Sequence, residues 1–217
     1  MPFLHPTTIL VAGPTGCGKT EFMVRLLQTQ SIQPFPERID WVYSEWQSAY
    51  DRIRALKLPG VELSFIKEFD DSLYESLNPQ TRNLVVLDDQ MQSERMQQVK
   101  GSALAKFFTQ GSHHRNLTVV YIVQNLFDQS RAMRTVSLNS HYMVLFKNPR
   151  DKSQIRALAL QMYPNKSTFL IGAYEDATEV PYGYLVLDLR PDTPDDLRVR
   201  ARVLGAERGQ VVYLPPI

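Results

Sequence analysis

Five short runs of aliphatic, β-branched and aromatic residues recur along the chain, at Thr8 to Ala12, Ile39 to Tyr43, Leu84 to Leu87, Leu117 to Val123 and Tyr142 to Phe146. Runs this short and this continuous predict strands buried on both faces, as in a parallel sheet. The stretches Thr20 to Gln30, Gln47 to Leu56, Arg95 to Thr109 and Asp151 to Met162 carry apolar residues three and four apart, as in Phe22, Leu26 and Leu27. That spacing predicts helices laying one face on the sheet. Val61 to Ile66 reads as an edge strand, followed by a segment Asp70 to Leu77 between Pro59-Gly60 and Asn78-Pro79. Beyond Tyr163-Pro164, Tyr182 to Leu189 alternates, and Val199 to Leu204 with Gln210 to Leu214 reads as a β-hairpin after an acidic, proline-bearing turn. The expected class is α/β, a mainly parallel central sheet flanked by helices with a C-terminal β extension. Residues 1–190 are expected as one domain, with 191–217 as a tail or hairpin packed on it.

A chain of 217 residues with 43% hydrophobic content suffices for one large domain with a substantial core. Its one cysteine, Cys17, excludes an internal disulfide and fits an intracellular protein. No basic leader precedes an apolar run and no apolar stretch approaches about 18 residues, so neither a signal peptide nor a membrane span is expected. The net charge of +1 conceals an uneven distribution. From Arg95 to Arg156 ten lysines and arginines face only Asp128 and Asp151, while the rest of the chain is acidic. Clustered positive charge of this kind suits a polyanion, although it also suits a solvated helix face.

The most specific chemistry lies directly after the first strand. Gly13-Pro14-Thr15-Gly16-Cys17-Gly18-Lys19-Thr20 is a complete G-x-x-x-x-G-K-[ST] phosphate loop. In such a loop the glycines let backbone N–H groups turn inward around phosphates, and Lys19 reaches the β and γ oxygens. The Thr20 hydroxyl is placed for Mg2+ at the start of a helix whose positive end faces the anion. The expected cofactors are ATP and Mg2+. Cys17 within the loop reads as small-residue packing rather than redox chemistry.

A second strand, Asn83 to Leu87, ends in Asp88-Asp89. The carboxyl end of a parallel strand is the ligand edge, so both acids are expected at the phosphates. Asp88 is the candidate metal ligand through the water shell of Mg2+, and Asp89 the candidate base that orients or deprotonates the attacking water. A paired acid separates hydrolases from small-molecule kinases, which must exclude water. The strand Leu117 to Val123 ends in Gln124-Asn125, and an amide there suits a γ-phosphate sensor, with Gln124 the better candidate.

Read in order, the phosphate loop, Asp88-Asp89, the run Phe108-Thr109-Gln110-Gly111-Ser112-His113-His114-Arg115-Asn116, Gln124-Asn125 and Leu145-Phe146-Lys147-Asn148-Pro149-Arg150-Asp151 resemble the poxvirus-type genome-packaging ATPases of the FtsK/HerA superfamily. The His-His-Arg-Asn and Asn-Pro-Arg-Asp runs look most like the versions from Polinton/Maverick elements, adintoviruses and virophages. The resemblance spans about Thr7 to Met162. It implies a RecA-like P-loop NTPase with an additional strand between the two phosphate-site strands. It further implies a homo-oligomeric ring, pentamer or hexamer, that hydrolyses ATP to drive double-stranded DNA into a capsid at a portal or vertex protein. Ring ATPases commonly complete a site with an arginine from the next subunit, and Arg115 and Arg150 are the candidates. His113 and His114, being adjacent, lack the spacing of a zinc pair. Trp41 and Trp46 read as core contacts. The competing functions are a DNA helicase or conjugative-type pump, a P-loop small-molecule kinase, and a nucleotide switch without turnover.

Overall fold

A computed structural model describes residues 2–67, 71–88, 104, 106–111, 115–126, 131–205, 207 and 209–216. Strands β1 (Phe3–Leu4) and β3 (Ile32–Gln33) form a small parallel pair. All other strands belong to one nine-stranded sheet. In chain order these are β2 (Thr8–Ala12), β4 (Arg38–Tyr43), β5 (Glu62–Ile66), β6 (Asn83–Asp88), β7 (Leu117–Val123), β8 (Tyr142–Phe146), β9 (Tyr184–Asp188), β10 (Val199–Ala201) and β11 (Val211–Tyr213). The spatial order is β11-β10-β9-β8-β2-β7-β6-β4-β5. The six strands from β8 to β5 run parallel, and β9, β10 and β11 are antiparallel additions on the β8 side. Strand β7 therefore lies between β2 and β6, which is the additional-strand arrangement.

The described helices are α1 (Lys19–Gln28), α2 (Ser48–Arg54), α3 (Asp71–Ser76), α4 (Arg131–Leu138), α5 (Ser153–Met162) and α6 (Ser167–Ala177), with a π-helical turn at Phe107–Gly111. Period-two alternation divides the core into two layers. Ile9, Val11, Leu84, Val86, Val120 and Ile122 face α1 and α2, meeting Phe22, Leu26, Tyr50 and Ile53. Leu10, Ala12, Val85, Leu87, Val119 and Tyr121 face the other layer, meeting Met133, Ile155, Leu158, Leu170 and Tyr174. Continuous apolar runs were needed because both faces of these strands are covered.

Several elements differ from the sequence expectation. Helix α1 stops at Gln28, where Thr29 returns its hydroxyl to the Arg25 carbonyl at 2.7 Å and Gln30 takes a left-handed φ of 48°. The helix expected from Arg95 to Thr109 lies mostly outside the described residues, and its described end is the π-helical turn. Helix α6 arises in a segment for which the sequence reading named no element. Its apolar face is Leu170, Ala173, Tyr174 and Ala177, a helical spacing carried partly by alanines, with Gly172 interrupting it.

The antiparallel strands are fastened by a buried ionic cluster. Asp188 is fully buried and Arg200 is nearly so. Asp188 Oδ2 accepts from Arg200 Nη2 at 2.6 Å and from Arg190 Nη2 at 3.0 Å, while Oδ1 accepts from Arg190 Nε at 3.1 Å and Thr193 Oγ1 at 2.9 Å. Removing one member of such a set leaves the others desolvated and unpaired. Asp188→Ala is expected to lower stability by about 3–5 kcal/mol, read as a lower urea midpoint at constant slope. A midpoint equal to that of the unsubstituted chain would reject the cluster as the fastening of β9 to β10.

Candidate active site

Strand register brings the phosphate-site groups to one edge. Asp88 pairs with Ile122 and with Tyr43, and Ala12 pairs with Val123, so β2, β6 and β7 finish together at their carboxyl ends. The Gly13 N–H donates to the Val123 carbonyl at 3.2 Å, which carries the pairing into the phosphate loop. A cavity of about 280 Å3 opens there, and Gly16, Gly18, Lys19, Thr20, Asp88 and Gln124 are among the residues that line it. Each is a residue that the sequence assigned to phosphate, metal or sensing.

The loop conformation depends on its glycines. Gly16 and Gly18 have φ of 77° and 108°, where side-chain-bearing residues are strained. A Cβ on Gly13 would lie 2.7 Å from both Cys17 Sγ and Phe146 Cβ, so the backbone needs glycine for close approach. Lys19 Nζ donates to the carbonyls of Gly13 at 2.6 Å and Pro14 at 3.0 Å, which draws its ammonium across the loop. Thr15 is exposed. Cys17 is half-buried between loop and sheet, and that burial pushes its thiol above the ordinary range although Lys19 pulls the other way. A raised thiol is a poor nucleophile, which agrees with a packing role.

Thr20 and Asp88 share the cavity wall with Lys19. A hydroxyl and one carboxylate are hard oxygen donors of the kind that hold Mg2+ together with phosphate oxygens and water. Among the described residues no group of three His, Cys, Asp or Glu side chains forms a closed metal cage. This donor set therefore suits a metal bound jointly with a nucleotide. Asp89, His113 and His114 lie outside the described residues.

Helix α2 supplies a wall that the sequence reading missed. Tyr50 is buried and donates its hydroxyl to Asp88 Oδ2 at 2.8 Å. Gln47, just before α2, lines the cavity, and Arg52 donates to Glu21 Oε2 at 2.5 Å across to the start of α1. The Arg52 bond holds the Glu21 carboxyl below its usual range. No local signal marks Tyr50 as the partner of Asp88, which lies 38 residues further along the chain. Tyr50 also packs at 5.4 Å centroid distance from both Trp41 and Trp46. Trp41 is fully buried as expected, whereas Trp46 is 39% exposed.

The two candidate arginines occupy different ends of the sheet. Arg115 precedes β7 at the amino-terminal edge, where it donates to Glu75 Oε2 at 2.8 Å and the Leu77 carbonyl at 3.2 Å and stacks 5.2 Å above Tyr74. It does not join the chain's own phosphate cavity. Arg150 follows β8 at the carboxyl edge, exposed, and makes no ion pair among the described residues. Its loop is shaped by Asn148 Oδ1, which accepts from the Arg150 N–H at 3.1 Å and the Asp151 N–H at 3.3 Å. Asp151 in turn accepts from the Ser153 hydroxyl, from Gln154 Nε2 at 2.6 Å and from the Ser153 N–H at 2.9 Å, and these bonds, the hydroxyl's foremost, hold its carboxyl low.

Fold and site together define a P-loop NTPase with an additional strand, a nucleotide-binding and nucleotide-hydrolysing class. The family model of the viral superfamily 1 RNA helicase core domain matches residues 9–155, and the chain belongs to that family. A stretch of 39 residues is 44% identical to packaging protein 1 of human adenovirus C serotype 5, covering 18% of this chain and 9% of the adenovirus protein. Among solved structures, the chain is similar to the genome packaging NTPase B204 from Sulfolobus turreted icosahedral virus 2 in complex with ATP-gammaS. That match has a TM-score of 0.51 at 13% identity and covers 97% of this chain and 98% of that one. ATPases 2 and 3 of EssC from Geobacillus thermodenitrificans give a TM-score of 0.53 at 13% identity, covering 96% of this chain and 40% of that one. At such identities the likeness is one of fold. Among the described residues no helix is long and apolar enough to cross a membrane.

Because Tyr50 holds one oxygen of Asp88, Tyr50→Phe is expected to raise the Mg2+ concentration needed for half-maximal Mg2+-dependent nucleotide binding by about tenfold, the lower end for loss of a supporting contact. Metal-free nucleotide binding should stay the same. An unchanged Mg2+ requirement would remove Tyr50 from the site.

Proposed function

We propose that this chain is an ATP-hydrolysing motor that translocates double-stranded viral DNA into a preformed capsid. It works as a homo-oligomeric ring, pentamer or hexamer, at a capsid portal or vertex protein in an infected cell. This is the poxvirus-type, FtsK/HerA reading, of the kind seen in Polinton/Maverick elements, adintoviruses and virophages. The observation that carries it is extent. The likeness to the B204 packaging NTPase runs through 97% of this chain and 98% of that one, so it extends past residue 155 into the antiparallel strands. The helicase-core match stops at residue 155.

In this reading Lys19 and the loop amides hold the triphosphate, and Thr20 and Asp88 hold Mg2+. Asp89 activates the attacking water, and Gln124 senses the γ-phosphate. Mg2+ supplies charge neutralisation on the β and γ oxygens when bound. Arg150 is favoured over Arg115 as the residue offered to a neighbouring site. It is exposed at the carboxyl edge, whereas Arg115 is tied to Glu75 and Leu77. Exposed Lys147 and Arg156 flank the same loop and are suited to DNA phosphates.

The family match favours a second reading, a helicase acting on single strands or RNA. ATP turnover measured with duplex DNA, single-stranded DNA and RNA separates the two, with Asp89→Asn as the blank. Duplex is expected to stimulate turnover most, and Asp89→Asn to bind ATP without hydrolysing it. Preferential stimulation by RNA with strand displacement would support the helicase instead. In the assembled protein Arg150→Ala is expected to lower turnover by roughly 10^3-fold or more, while Arg115→Ala mainly lowers stability. The reverse pattern would exchange their roles. If six to ten phosphates are contacted, duplex affinity should fall by roughly 10^3 to 10^5 between 50 and 200 mM salt. A flat salt response would exclude DNA as the polyanion.

A further inference from the structure

The turn between α6 and β9 carries a residue in an unusual state. Tyr182 has φ of 63°, a left-handed conformation that is strained for a bulky side chain, yet its side chain is 67% exposed. Among the described residues its hydroxyl has no hydrogen-bond partner. The surrounding structure enforces the conformation. The Gly183 N–H donates to the Val180 carbonyl at 3.0 Å, and a Cβ on Gly183 would lie 2.4 Å from the Ala177 carbonyl oxygen. Residue 183 is thus pressed against the end of α6, and Tyr182 is turned outward.

It is turned onto the phosphate loop. A Cβ placed on Gly18 would fall 3.0 Å from Tyr182 Cδ1, 3.2 Å from Tyr182 Cβ and 3.5 Å from Phe146 Cε1. Gly18 therefore admits both its own φ of 108° and the edge of this ring. Gly18 lines the phosphate cavity together with Glu21 on the first turn of α1. A tyrosine serving only to pack would bury its ring or bond its hydroxyl. This ring instead leans on Gly18, which lines the cavity, and presents most of its surface to solvent.

We propose that Tyr182 is a stacking platform for the nucleobase, so that the β9 extension completes the nucleotide site which the phosphate loop begins. The proposal rests on the nucleotide-binding reading of the cavity. It assigns to Tyr182 the aromatic surface that phosphate-directed groups lack, and it commits to a nucleoside triphosphate rather than a bare polyphosphate. Stacking of a base on an aromatic side chain is sequence-tolerant, since every base has a π face.

The test is calorimetric titration of the full chain with ATP and, separately, inorganic tripolyphosphate, for the unsubstituted protein, Tyr182→Ala, Tyr182→Trp and Lys19→Ala. Tyr182→Ala is expected to weaken ATP roughly tenfold and leave tripolyphosphate unchanged. Tyr182→Trp should retain ATP affinity, with an indole fluorescence change on adding ATP that tripolyphosphate does not produce. An equal loss for both ligands in Tyr182→Ala would make the residue a packing support of the loop and overturn the platform. Unchanged ATP affinity would overturn it as well. If the unsubstituted protein binds neither ligand and Lys19→Ala changes nothing, the nucleotide reading itself fails, an outcome distinct from loss at Tyr182 alone.

Discussion

The parallel register of β2, β7 and β6 is the constraint from which the rest of the site descends. Ala12, Val123 and Asp88 end their strands within one residue of each other in the ladder, and the Gly13 N–H extends that ladder by one bond into the loop. Slipping β6 by one residue would turn Asp88 from one sheet face to the other and exchange both apolar layers at once, because side chains alternate with period two. The two-layer core is therefore what fixes the carboxylate. Leu84 and Val86 hold one face, Val85 and Leu87 the other, and Asp88 has no freedom to move independently of them.

Placement of the carboxylate is not yet orientation, and here α2 enters. A strand-end aspartate has rotameric freedom that a metal would have to freeze on binding. The Tyr50 hydroxyl restricts it beforehand, and Tyr50 is itself held among Trp41, Tyr43, Trp46 and Phe65. Arg54 closes the outer side of this aromatic group, 4.4 Å above the Trp46 ring. Aromatic residues that look like ordinary core on the sequence thus act, through one hydroxyl, on the geometry of the phosphate site.

What could be read from the sequence follows from which interactions are local. The parallel strands were legible because their burial on both faces leaves an unbroken apolar run, and the phosphate loop because glycine, lysine and threonine have fixed offsets within eight residues. Tyr50 was not legible as a partner of Asp88, since the two are 38 residues apart and nothing local marks a tyrosine as a donor. Helix α6 was obscured by an exposed Gly172 and by the buried Ala173 and Ala177, small residues that give a weak apolar signal although the helix packs against α5 and β9. Arg115 shows the opposite case. Its neighbourhood in the chain looked like site chemistry, but its position before β7 sends it to the far edge of the sheet, onto Glu75 and Tyr74.

The loop after β8 is bound to the end of β7 rather than standing alone, and that limits how the site can move. Gln154 Oε1 accepts from the Leu126 N–H at 3.0 Å while its Nε2 donates to Asp151 Oδ2 at 2.6 Å. The Tyr174 hydroxyl donates to the Phe146 carbonyl at 2.9 Å and accepts from the Asn148 N–H at 2.8 Å. A shift of the chain just after Gln124 must either break the Leu126 bond or carry Gln154 and Asp151 with it. Leaving a partly buried amide unpaired costs roughly 1–3 kcal/mol, comparable to a typical coupling free energy between two sites. Motion of the β7 end with the Asn148–Asp151 loop as one piece avoids that cost. The chain just after Gln124 and the loop that carries the exposed Arg150 are therefore mechanically linked through Leu126, Gln154 and Asp151.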